Sequence, residues 1–104
     1  MKQKNKKLKI AAIALAMALP QVAQAQSVCF VDYKAKQAGA GNLQLHYGVM
    51  QLQGKACNNS RVLEKRVSAR IAVDNWVLLR IVSRFDQSGV RQRRANAGQY
   101  FLRY

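Results

Sequence analysis

The fold is decided by the stretch RVLEKRVSARIAVDNWVLLRIVSRF, which runs from Arg61 to Phe85. Its first half carries Leu63, Val67 and Ile71 at intervals of four residues, so that one face of a helix would be apolar. No Gly or Pro interrupts this half, and it predicts a helix over residues 61–74. This is the one helix that the sequence indicates.

The second half of the stretch, Trp76 to Phe85, predicts a strand. Both of its faces are apolar, which is typical of a strand covered on both sides in the middle of a sheet. Asn75 lies between the two halves and is predicted to end the helix in a left-handed conformation, because Asn tolerates positive φ better than most residues. Trp76 follows directly, and we expect its ring to fill the junction of helix and sheet without a ligand role.

Shorter strands are predicted on both sides of this stretch. Val28–Lys36 alternates apolar and polar residues, and Leu43–Leu52 reads as a second strand after a glycine-containing loop. Gln99–Tyr104 is predicted as the closing strand, and Val90–Arg94, whose charge is typical of a protected sheet edge, would add an extra edge strand to the four if it also paired. The sequence therefore predicts an α+β fold with a small, mainly antiparallel sheet of about four strands, in the order β-β-α-β-β, and one helix packed on one face.

The first 25 residues have the organisation of a secretory signal peptide. Five lysines precede the apolar run Ile10–Leu19, and Pro20 and Ala23-Gln24-Ala25 follow it. Ten apolar residues span only about 15 Å as a helix, so we expect no permanent membrane anchor. Residues 1–25 are therefore predicted to be cleaved, leaving 26–104 as a single small domain in the periplasm or outside the cell.

Two cysteines, Cys29 and Cys57, are the only ones in the chain. In an exported chain an even count favours an intramolecular disulfide, although two free thiols or pairing between molecules would also satisfy the sequence. The bond would close a loop of about 28 residues and stabilise the domain by roughly 3.5 kcal/mol on the chain-entropy model.

Three short motifs resemble a known family. Asp74-Asn75-Trp76-Val77-Leu78-Leu79, after the predicted helix, resembles the Glu-Gly-Trp-Glu-Leu-Val signature of a family of small uncharacterised bacterial domains. Val31-Asp32-Tyr33-Lys34 is similar to that family's Tyr-Lys-rich first strand, and Tyr100-Phe101-Leu102-Arg103 to its aromatic last strand. The family has glycine where this chain has Asn75, and a disulfide is not typical of it. The family has no assigned activity, so the resemblance supports the fold and leaves function open.

Catalytic and metal-binding signatures are weak in this sequence. His46 is the only histidine, and its position opposite Leu45 and Tyr47 predicts a solvent-facing residue of the second strand. A nucleophilic site needs a histidine with partners, and zinc needs more soft ligands than one histidine and two oxidised cysteines provide. The four acidic residues show no paired spacing, and no glycine-rich phosphate loop follows a strand. We therefore expect neither an enzyme nor a bound cofactor or metal.

Basic residues are the strongest functional signal. The chain has 18 Lys and Arg residues against four acidic ones, and losing the five leader lysines would leave a net charge of +9. Arg91, Arg93 and Arg94 cluster within four residues, and Arg84 would join them if the two strands around Asp86–Gly89 paired as a hairpin. Arginine binds phosphate and carboxylate by bidentate hydrogen bonds, although a solvated surface that keeps the protein soluble would have the same composition.

The composition thus predicts an exported binding protein for an anionic envelope component or an acidic protein, and an enzyme inhibitor would belong to this class. A secreted cationic toxin or antimicrobial protein is the alternative, because such proteins also carry excess positive charge. Nucleic acid ranks third, since export removes a protein from that partner.

Overall fold

The computed structural model describes residues 27–39 and 41–104, which form an α+β fold. Three strands, β1 (Val28–Gly39), β2 (Asn42–Gln53) and β3 (Val77–Phe85), make an antiparallel sheet in the order β2-β1-β3. Helix α1 (Ser60–Ile71) lies on one face, and a short helix, α2 (Arg94–Ala97), follows β3. The predicted leader, residues 1–25, lies outside the described residues.

Strand β1 is the central strand, so the prediction that Trp76–Phe85 occupies the middle of the sheet is wrong. Strand β1 pairs with both of its neighbours, and five consecutive residues in it, 29–33, are buried. Strand β3 forms one edge and exposes Val77, Leu79 and Val82. Apolar residues on both faces of β3 indicated coverage on both sides. The segment after β3 instead covers the face of β1 that points away from α1, here called the outer face.

The predicted closing strand, Gln99–Tyr104, does not form, and the extra edge strand at Val90–Arg94 does not form either. Residues 91–94 belong to a 3-10 turn at Arg91–Arg93 and to α2, and Val90 and Ala97 are buried at helical spacing. Residues 99–104 contain another 3-10 turn, and positive φ angles at Gly98 and Leu102 break an extended conformation. One parallel bridge between Val49 and Phe101 joins this segment to β2.

Helix α1 matches its prediction closely. The Asn59 side chain caps its N-terminus by accepting a hydrogen bond from the backbone N–H of Val62 at 3.1 Å. Three residues at four-residue spacing face the sheet and are buried: Leu63, Val67 and Ile71. A 3-10 turn then leads to Asn75, whose φ of 67° confirms the predicted left-handed stop.

The face of the sheet that packs against α1 is here called the inner face, and every second residue of β2 lies on it. These are His46, Gly48, Met50 and Leu52, all of them buried. Glycine is needed at position 48, since a Cβ there would lie 2.5 Å from Oη of Tyr33. The prediction that His46 faces solvent is therefore wrong, because Leu43 and Leu45 made the opposite face of β2 look like the apolar one.

The disulfide between Cys29 and Cys57 is confirmed, with Cα atoms 5.7 Å apart. It joins the start of β1 to the 3-10 turn Gly54–Cys57 that precedes α1. The bond thus fixes the entry of the helix against the sheet.

The outer edge of β2 is closed by groups from elsewhere in the chain. Arg66 and Arg70 of α1 donate hydrogen bonds to the carbonyls of Gln53 and Gln51 at 3.0 and 2.8 Å. The backbone N–H of Leu102 donates to the carbonyl of Val49 at 2.9 Å. Three successive outward carbonyls of this edge strand therefore have partners.

Candidate anion-binding groove

A buried carboxylate anchors the segment that follows β3. Asp32 lies on the outer face of β1 and is only 4% exposed. Its Oδ1 accepts a hydrogen bond from Ser83 at 2.6 Å, and its Oδ2 accepts from Tyr47 at 2.8 Å and from Nε of Arg93 at 3.1 Å. Burial alone would raise the pKa of Asp32, but the three hydrogen bonds and the charge of Arg93 outweigh it and lower the pKa.

Arg93 is held in place by this contact and does not face solvent freely. Its Nη1 donates to the carbonyl of Gly89 at 2.6 Å, and its guanidinium carbon lies 3.8 Å from the ring centroid of Phe85. Asp32 neutralises its charge. Arg93 therefore fastens the segment 87–97 to the outer face and orients the residues on either side of it.

Two arginines close to Arg93 in sequence, Arg91 and Arg94, are exposed and line an open groove of about 710 Å³. Residues three apart on a helical turn project on the same side, which brings both guanidinium groups to one wall. The guanidinium carbon of Arg94 lies 5.3 Å from the ring centroid of Phe101, across the groove. The lining consists of Gln87, Ser88, Val90, Arg91, Gln92, Arg94, Phe101 and Leu102.

The four predicted anion-facing arginines are thus divided by the fold. Arg91 and Arg94 share the groove, and Arg93 lies beneath them. Arg84 pairs with Val31 on the inner face, where its Nη1 donates to the carbonyl of Cys57 at 2.6 Å. The hairpin that was expected to bring Arg84 to this patch does not form, because the chain turns into 3-10 and helical structure after Phe85.

One carboxylate lies next to the groove. Asp86 Oδ1 accepts hydrogen bonds from both the backbone N–H and the hydroxyl of Ser88. These bonds lower the pKa of Asp86. The groove therefore has two guanidinium groups that no carboxylate of residues 27–39 and 41–104 pairs with, and one negative charge beside them.

A second notable cluster, on the inner face, was missed by sequence reasoning. His46 is 8% exposed, and its ring stacks on Tyr100 at 3.7 Å between centroids and meets Trp76 edge-on at 4.2 Å. Nε2 lies 3.0 Å from Oη of Tyr33, while Nδ1 has no hydrogen-bond partner among the described residues. Burial, with a smaller effect from the charge of Arg103, lowers the pKa of His46 to about 4.

We expect this histidine to make stability depend on pH. Unfolded His46 binds a proton below about pH 6.5, whereas the folded protein resists doing so until about pH 4. The free energy of unfolding should therefore fall as the pH is lowered through this window, by about 3 kcal/mol. Urea unfolding across the window measures this. His46→Phe keeps the ring stack, and a slope that is unchanged in that variant would contradict the assignment to the only histidine.

Within residues 27–39 and 41–104, no group of three or more His, Cys, Asp or Glu residues is arranged to hold a metal ion. Over the same residues, no helix has the length and apolar character needed to cross a bilayer. No protein family, no curated protein and no solved structure matches this chain.

Proposed function

We propose that this protein is an exported, basic binding module that captures an anionic component of the cell envelope, or an acidic segment of a protein, in the groove of Arg91 and Arg94. The observation that carries the proposal is the separation of roles among the clustered arginines. Arg93 is bound to Asp32 within the fold. Arg91 and Arg94 lie on one groove wall, and no described carboxylate pairs with either of them. Two adjacent guanidinium groups suit a phosphate or carboxylate ligand, because each guanidinium group can donate a pair of parallel hydrogen bonds to such an anion.

The location forms part of the proposal. A disulfide persists in oxidising compartments, so the bond between Cys29 and Cys57 favours the periplasm or the medium. The basic leader, the short apolar run and the Ala23-Gln24-Ala25 site agree with this.

The structure gives less support to the alternative, a cationic toxin that acts through its helix. Such a helix presents its basic residues to a membrane. In α1, Arg66 and Arg70 instead turn back to the carbonyls of Gln53 and Gln51. The helix therefore uses two of its cations to close the sheet.

Replacing both groove arginines should abolish most of the binding. We expect Arg91→Gln/Arg94→Gln to weaken binding of a labelled polyglutamate peptide and of an acyl-free phosphorylated oligosaccharide by about tenfold or more, because each lost charge-assisted bond contributes ~1.5 kcal/mol. Fluorescence anisotropy at low and at physiological salt measures both the affinity and its salt dependence. The wild-type affinity should fall steeply with salt, and that of the variant much less.

Two control variants sharpen this experiment. Arg61→Gln/Lys65→Gln removes the same charge from the exposed side of α1 and should change binding little. Asp86→Asn keeps the side-chain cap, removes the adjacent negative charge and should strengthen binding. Equal losses in the groove and α1 variants would mean that net charge alone attracts the ligands, and the groove would not be the site.

A further inference from the structure

The outer face of the sheet carries an exposed apolar surface beyond the part that segment 87–97 covers. Leu43 and Leu45 of β2 are each 64% exposed, and Val77 and Leu79 of β3 are 54% and 48% exposed. Lys36 of β1 pairs with Leu45 of β2 on one side and with Val77 of β3 on the other, so the three residues form a row across the sheet. Leu79 lines a shallow depression together with Leu45 and Tyr47. We call these four residues, Leu43, Leu45, Val77 and Leu79, the outer patch.

Cations lie between the two halves of the outer patch, because β1 separates β2 from β3. Lys34 and Lys36 stand on β1 in the middle of this face, and Arg80 pairs with Lys34 across the sheet. The carboxylate that shares the face in the described chain, Asp32, is buried beneath Arg93. Long basic side chains can lay their apolar stems along such a surface while their charged ends reach the phosphates around it.

The hairpin of β1 and β2 projects past β3. The last pair between β1 and β3 is Lys36 with Val77, whereas the pairing of β1 with β2 continues to Gly39 and Asn42. Three further residue pairs at about 3.3 Å each make a projection of about 10 Å. Leu43 lies on this projecting part, where an apolar side chain can enter a lipid headgroup layer first.

We propose that the outer patch docks onto a lipid surface with anionic headgroups, a surface separate from the groove of Arg91 and Arg94. Charge complementarity selects this occupant. A second copy would place Lys34, Lys36 and Arg80 against the same cations, with no exposed carboxylate on the described face to pair with them. Headgroup phosphates supply the missing negative charge, and acyl chains accept the leucines.

Vesicle co-sedimentation tests the proposal with phosphatidylglycerol-containing and pure phosphatidylcholine vesicles. Wild-type protein should bind the anionic vesicles and bind the neutral ones far less. Leu43→Ser/Leu45→Ser and Lys34→Gln/Lys36→Gln should each weaken this binding by about tenfold or more. Val73→Ser, which changes a 74% exposed apolar residue after α1, is the matched control and should bind as wild type does.

A second measurement does not depend on those variants folding normally. Leu45→Trp should show a blue-shifted emission with anionic vesicles, whereas Val73→Trp should show no shift. Equal binding to both kinds of vesicle, wild-type binding by the leucine variant, or an unshifted emission from Leu45→Trp would each overturn the proposal.

The groove variant separates this proposal from the proposed function. Arg91→Gln/Arg94→Gln should retain vesicle binding while losing the acyl-free ligands. If it loses the vesicles and Leu43→Ser/Leu45→Ser does not, the lipid binds in the groove and the outer patch is not the docking surface. If an acidic peptide protects the outer patch from solvent exchange and vesicles do not, the partner of this face is a protein and the lipid proposal is wrong.

Discussion

Replacing Trp76 with alanine is expected to lower the free energy of unfolding by about 3–5 kcal/mol. The ring is 6% exposed and meets the rings of His46 and Tyr100 edge-on, at 4.2 and 5.7 Å between centroids. Truncation would remove this apolar contact and leave a cavity between the end of α1, the sheet and the C-terminal segment. The loss should be among the largest of any single substitution in the domain.

Urea unfolding of the wild-type and variant proteins measures this effect. Trp76→Phe should lose much less stability, since it keeps an aromatic ring in the site. Val73→Ala changes an exposed residue close by in sequence and should stay within about 0.5 kcal/mol of wild type. The chain has one tryptophan, so native emission typical of a water-exposed indole, together with a near-neutral Trp76→Ala, would refute the assignment.

Removing the disulfide should have the second large effect. Cys29→Ala/Cys57→Ala, or reduction of the wild type, is expected to lower the free energy of unfolding by about 3.5 kcal/mol. The bond closes a loop with a sequence separation of 28 residues, and opening it restores conformational freedom to the unfolded chain. The size of the domain makes such a covalent link valuable, because a small core supplies little surplus stability.

Unfolding with and without reductant measures this contribution. Reductant should lower the stability of the wild type and leave the double alanine variant unchanged. Mass measurement before and after alkylation reports the bond directly. Alkylation of both cysteines without prior reduction, or a double variant as stable as the wild type, would contradict the prediction.

Local signals in the sequence were sufficient for the helix, and the even count of cysteines in a chain with an export signal was sufficient for the disulfide. Four-residue spacing and a left-handed Asn stop lie within one continuous segment, and the structure has both. The first two strands were also predicted, because alternation and a glycine-containing loop are local features. These elements depend on contacts between residues close in sequence.

The arrangement of the strands could not be predicted in the same way. Burial of both faces of β1 depends on Arg93 reaching Asp32 across 61 residues, and no local pattern shows that contact. In retrospect, Phe30 and Asp32 in β1 and the helical spacing of Val90, Arg93 and Ala97 were the available signals. The charge of Val90–Arg94, which is typical of a protected sheet edge, favoured an edge strand instead.

The candidate groove could be anticipated from the sequence only as a cluster of arginines. The cluster of Arg91, Arg93 and Arg94 is visible in the sequence, but the division between Arg93 and its neighbours depends on the position of Asp32. Arg84 was assigned to the patch through a hairpin that does not form. His46 was misplaced because Gly48 interrupts the apolar residues on its face, and glycine is present there to accommodate the ring of Tyr33.

The closed edge of β2 has a consequence for the protein at high concentration. An open strand edge is a template on which other chains add strands, and repeated addition leads to fibrils. Arg66, Arg70 and the backbone of Leu102 occupy the carbonyls that such a chain would need along Val49–Gln53. Two register shifts in the pairing of β3 with β1 make the opposite edge irregular. Two arginines of a small helix thereby help to keep this sheet from growing between molecules, a task separate from any ligand that the protein binds.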